Sequence, residues 1–138
     1  MSKILIILTS FIAISCGYVN SGTWVDDPDN WERAYNEPKP DNIEIIKSEF
    51  TRYPHFTYEF DFYVQIKPNV EVIRGFLGTR NLKQIEYSDI VTAGQTPNWF
   101  VPGEQSDYEI YRSQNNFDNL ELFINHQTGE IFWIESQY

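Results

Sequence analysis

The chain reads as an α+β protein, a two-layer sandwich in which an antiparallel sheet of four to five strands carries one or two helices on one face. Three observations lead there. Phe56, Tyr58, Phe60, Phe62, Val64 and Ile66 alternate with Thr57, Glu59, Asp61, Tyr63 and Gln65, the period-two pattern of a strand with one buried and one wet face. Two short segments, Trp31 to Asn36 and Pro68 to Leu77, space their apolar residues at helical intervals instead. The last third ends in a hairpin pattern, Leu120 to Asn125 and Glu130 to Ser136, with Gly129 free to take the positive φ that the turn needs.

Taken in order, Asn20-Ser21-Gly22 reads as a short tether. Asp26-Asp27-Pro28-Asp29-Asn30 opens the first helix, with Asp29 as its cap and Glu32 completing a capping box. Trp31, Ala34 and Tyr35 share one face, and Pro38 and Pro40 end the helix. A calcium loop would need a central Gly and a distant Glu at fixed spacing, which Asp26, Asp27 and Asp29 lack. Ile43 to Tyr53 is β-branched and aromatic, with a register slip at Ile45-Ile46, and Tyr53-Pro54-His55 turns it into the alternating strand. Pro68-Asn69 starts the second helix and Gly78 stops it. Lys83 to Val91 reads as irregular or a short strand, followed by a loop through Gly94 and a turn-rich stretch from Pro97 to Gly103. Tyr108 to Ser113 reads as a further strand. Each large side chain buried by these strands contributes roughly 1.5–3 kcal/mol.

At the N-terminus a lone Lys3 precedes an unbroken apolar run from Ile4 to Ile14, then Ser15 and the only cysteine, Cys16. The run is too short to span a bilayer, which takes about 20 apolar residues. With Ile12-Ala13-Ile14-Ser15 before Cys16, this layout resembles the signal peptide and lipobox of bacterial lipoproteins, although Ala13 stands where Leu is most usual. The resemblance implies removal of residues 1–15, lipidation at Cys16 through a thioether with acyl chains such as palmitate, a tether over residues 16–23, and one domain over 24–138. It implies a place in the cell envelope, and Gly17 rather than Asp after the cysteine favours the outer membrane, periplasmic side. Trp31-Glu32-Arg33-Ala34, the alternating aromatic strand, Trp99-Phe100-x-Pro102 and Leu122-Phe123-Ile124 through Thr128-Gly129-x-Ile131-Phe132 together resemble small bacterial lipoproteins of uncharacterised activity. That likeness implies a compact α+β domain and no particular chemistry.

Cleavage would remove Lys3 and no acidic residue, leaving 9 cations against 20 anions and a net charge near −11. Such a balance excludes nucleic acid as a partner and favours a basic protein. No cofactor or metal is expected, because His55 and His126 lie in turns without a cysteine or a ligand-spaced cluster to help them. Glu59 and Asp61, about 7 Å apart along one strand face, are the residues for a carboxylate hydrolase with His55, but alternation places them on the wet side, where nothing raises an acid's pKa. Trp99 and Phe100, held between Pro97 and Pro102, form either a rigid aromatic platform for a sugar or wall fragment, or a plug over the sheet. Trp24, Trp31 and Tyr35 offer a second aromatic patch. The leading expectation is a lipid-anchored, non-enzymatic module that binds a cationic protein as an inhibitor or immunity factor would. The carbohydrate-binding module and the hydrolase are its rivals.

Overall fold

The computed structural model describes residues 20–86, 96–115 and 119–138. Cys16, the leader and most of the loop expected after Lys83 lie outside them. The strands are β1 (Gly22–Val25), β2 (Ile45–Arg52), β3 (Phe60–Ile66), β4 (Leu82–Gln84), β5 (Tyr108–Ser113), β6 (Asn119–Asn125) and β7 (Ile131–Gln137). The helices are α1 (Asn30–Tyr35) and α2 (Val70–Thr79). All seven strands join one antiparallel sheet in the order β1-β2-β3-β7-β6-β5-β4.

The antiparallel sheet and two helices hold, but among the described residues the molecule is mostly sheet, with two short helices and seven strands, not four to five. The additions are its two rims, of four and three residues, too short for alternation to show. β1 also corrects the tether: Gly22 and Thr23 pair with Arg52 and Thr51. The slip expected at Ile45-Ile46 is present as a register shift between Ile45 and Lys47, which leaves Ile46 exposed.

One face of the sheet forms a continuous apolar layer from Phe50, Phe60, Phe62, Val64, Ile66, Leu120, Leu122, Ile131 and Trp133. Trp31 of α1 and Val72 of α2 are buried in the same layer, with Ala34, Tyr35 and Ile73 packed against it. Trp31 meets Phe62 and Trp133 edge-on, at 6.4 and 5.8 Å between ring centres. The expected Asp29 cap is not made. The Asp29 N–H instead donates to Asp27 Oδ1 at 2.9 Å, and Asp27 pairs with Arg33 at 3.0 Å. Buried Asn30 then ties α1 down by donating to Trp24 O and Ser48 Oγ. α2 is capped by Asn69, whose Oδ1 accepts from the N–H groups of Glu71 and Val72.

The other face departs from the expected wet surface. Tyr63, assigned to solvent by alternation, is 2% exposed and belongs to a second apolar cluster with Phe100, Tyr108, Ile110, Phe123, Phe132 and Ile134. The cause is the Pro97–Gly103 stretch, which folds across this half of the sheet. Phe100 sets its ring edge-on to Tyr63, Phe123 and Phe132 at 5.0, 5.6 and 5.9 Å. Positive φ at Val101 and Gly103 lets the chain leave again, and Tyr108 Oη donates to Pro102 O at 2.6 Å to pin it.

Candidate functional site

The long alternating strand begins only at Phe60. Residues 53–59 form the β2–β3 loop, closed by Tyr53 N–H donating to Glu59 O at 3.0 Å. Phe56 and Tyr58, expected inside, are therefore exposed. Glu59 lies in this loop, where its carboxylate takes the Thr57 hydroxyl and faces His55 Nε2 at 3.6 Å.

Asp61 corrects the sequence reading most sharply. It is 1% exposed rather than solvated, on the second face of β3. Its Oδ1 accepts from Ser136 Oγ at 2.5 Å and Tyr138 Oη at 2.6 Å, and its Oδ2 from Tyr53 Oη at 2.5 Å. Three hydroxyl donors replace the water that the carboxylate gives up. Partial burial and the hydrogen bond to Asp61 push the Tyr138 phenol up to about 12 and raise Tyr53 further. Burial, and then the charge of Asp61, push Tyr63 up to about 12. Glu59 and Asp61 thus have separate partners: one is held by a loop, the other by hydroxyls. A hydrolase pair needs both carboxyls to reach a substrate, and Asp61 has no open approach.

The aromatic candidates are also placed inside. Phe100 is 6% exposed and forms the plug over the second face, so it offers no stacking surface. Trp99 is half-buried beside it, 5.9 Å from its ring. Trp31 lies in the core with Tyr35 at 4.6 Å, and Trp24 packs on Phe50 beneath the Arg33 guanidinium. The proposed second patch is therefore part of the first apolar layer. His126 sits in the β6–β7 turn, 4.0 Å from Glu109. Among the described residues no three His, Cys, Asp or Glu side chains gather as metal ligands, and no helix is long and apolar enough to cross a membrane.

A site missed by sequence reasoning lies where β1 leaves the sheet. Asp26 takes a left-handed backbone (φ 50°) and locks onto Ser48 by donating its N–H to Ser48 O and accepting Ser48 N–H at Oδ1. This fixes its charge near Glu49, which pairs across the sheet with Val25. Partial burial and then the Asp26 charge raise the Glu49 pKa. Among the described residues neither carboxylate has a cationic partner. Asp26 is in the wall of a groove of about 350 Å³, together with Asp27, Glu44, Ile43, Ile45, Ile46 and the cation Lys39; Asp27 is paired with Arg33 and Glu44 with Lys67. Exposed Val25 and Ile46 add apolar surface nearby. The signal available in the sequence was the Asp26-Asp27 pair directly after Trp24-Val25, which reads as helix capping until β1 is seen.

No family model, curated protein or solved structure matches the chain.

Proposed function

We propose that the protein is a lipid-anchored envelope protein, held at a membrane through Cys16, that works by binding a basic protein at its acidic β1–β2 corner. The observation that carries the binding role is Asp26 and Glu49 held together at the β1–β2 corner, neither with a cationic partner among the described residues, near a groove whose wall carries isoleucines as well as Lys39. A lysine or arginine from a partner meets both needs, because its aliphatic stem covers the isoleucines while its head neutralises the like charges. The net charge near −11 left by loss of residues 1–15, 9 cations against 20 anions, extends the attraction over the Debye length, about 8 Å at physiological salt. An inhibitor or immunity factor for a cationic hydrolase or toxin is the role that fits this chemistry, and Gly17 after Cys16 favours the outer membrane, periplasmic side, as its place.

Burial of Phe100 leaves the sugar-platform alternative with half-buried Trp99 alone, and enclosure of Asp61 counts against the hydrolase. The test is capture of basic proteins from an envelope extract by the immobilised protein at low and high salt. Retention should fall as salt rises, and the Asp26→Asn/Glu49→Gln double variant should lose it at low salt. Retention indifferent to both changes would refute the acidic corner as the binding surface.

A further inference from the structure

We infer that the end of the sheet bearing the Tyr53–Glu59 loop is turned to the lipid bilayer, with the Phe56 ring entering the headgroup and upper acyl region. This rests on the reading of Cys16 as the anchor and gives that anchor a geometry.

Strand register places the parts. Gly22 pairs with Arg52, Arg52 with Phe60, and Phe60 with Gln137, so these residues share one end of the sheet. The chain from Cys16 enters the sheet there, beside the β2–β3 loop and Tyr138. Cys16 and Gly22 are separated by 6 residue steps, about 20 Å even at full extension. The seven residues of β3 already span about 23 Å. An anchor at Cys16 therefore holds Gly22, and with it the loop end, within about 20 Å of the membrane, a reach shorter than the length of β3.

The chemistry of that end suits an interface. Phe56 is fully exposed, and Tyr58 and Tyr138 are exposed beside it, with Tyr53 and Tyr138 rings 6.4 Å apart. Rings with polar tips settle at the boundary between headgroups and hydrocarbon. The loop's only ionisable charges, His55 and Glu59, face each other. Its shape is set by polar contacts that leave Phe56 outside: Tyr58 Oη donates to Arg33 O at 2.5 Å, and the Arg52 guanidinium lies 4.6 Å from the Tyr58 ring. Asp26 follows the far end of β1, so its charge lies away from an anionic lipid surface, and Glu44 at that end is paired with Lys67.

The experiment uses the lipidated protein in vesicles of phosphatidylethanolamine and phosphatidylglycerol. Because Cys16 is the only native cysteine, acylation leaves Phe56→Cys as a unique thiol for a spin label. Gln127→Cys, in the exposed turn at the opposite end, is the control. Power saturation should show the label at 56 accessible to oxygen and shielded from a water-soluble nickel chelate, and the label at 127 the reverse. Equal nickel access at both sites would overturn the orientation while leaving the anchor intact. Shielding at 56 that appears only after envelope proteins are added would assign the tip to a protein partner and overturn it too. Two labels per chain on Phe56→Cys would remove the anchor itself, and the orientation with it.

Discussion

The two faces of the sheet solve the same burial problem by different means. The first is covered by α1 and α2, and its residues form one apolar layer from Phe50 to Trp133. The second is divided: its β7-β6-β5 half is capped by a loop carrying Phe100, while Asp61 on β3 sits in a nest of hydroxyls. Helices cover a sheet through many moderate contacts spread along their length. The loop does so through one ring wedged among three others, which makes the second face dependent on fewer residues.

The largest effect expected is on the first face. Phe60→Ala and Trp133→Ala should each cost about 3–5 kcal/mol in urea melts, since both side chains are buried. Phe100→Ala sharpens the comparison, because a true second core loses about 3 kcal/mol there. A loss below about 0.5 kcal/mol would mean that the loop lies on a surface and the two faces differ in kind.

Next comes the polar nest. Asp61→Ala should cost about 1.5–3 kcal/mol by removing the shared acceptor of three hydroxyls and leaving that of buried Ser136 without one. A double-mutant cycle with Tyr138→Phe should show coupling of about 0.5 kcal/mol or more. Additive losses would mean that the hydroxyl contributes nothing through the carboxylate.

The alkaline limb of stability reports on the same region. Tyr63 and Tyr138 keep their protons up to about 12 when folded, whereas unfolded tyrosines ionise near 10. The folded state therefore binds more protons across that window, so stability is complete below about pH 10 and falls as pH climbs towards 12. Urea midpoints followed with tyrosinate absorbance should show this fall, and Tyr63→Phe should make it shallower while Tyr138 and Tyr53 keep their share. The smallest effect expected is Glu49→Gln, within about 0.5 kcal/mol of the parent and on the stabilising side, because it removes repulsion from Asp26.

Much of this architecture was legible as local pattern. The bulge at Ile45-Ile46, β5, the final hairpin with its Gly129 turn and both helices follow from residue spacing. What alternation cannot reveal is a cover supplied from a distant segment. Tyr63 and Asp61 look solvated within their own strand, and only the arrival of Phe100, Ser136 and Tyr138 buries them. A warning was nonetheless present. Ile131-Phe132-Trp133-Ile134 and Leu122-Phe123-Ile124 are unbroken apolar runs, the mark of strands enclosed on both sides. The acidic corner was hidden because β1 has four residues and its last neighbours, Asp26 and Asp27, carry the composition of a helix start.

The brevity of the outermost strands has its own consequence. A sheet's unpaired rim is a template on which another chain can polymerise, and the hazard grows with the number of free amides in a row. Among the described residues the outermost strands are the four-residue β1 and the three-residue β4, the latter with exposed Lys83 at its centre, so that each rim is broken into short stretches. Neighbouring copies find too little ribbon to zip onto, so even dense crowding should leave the molecules separate rather than stitched into fibres.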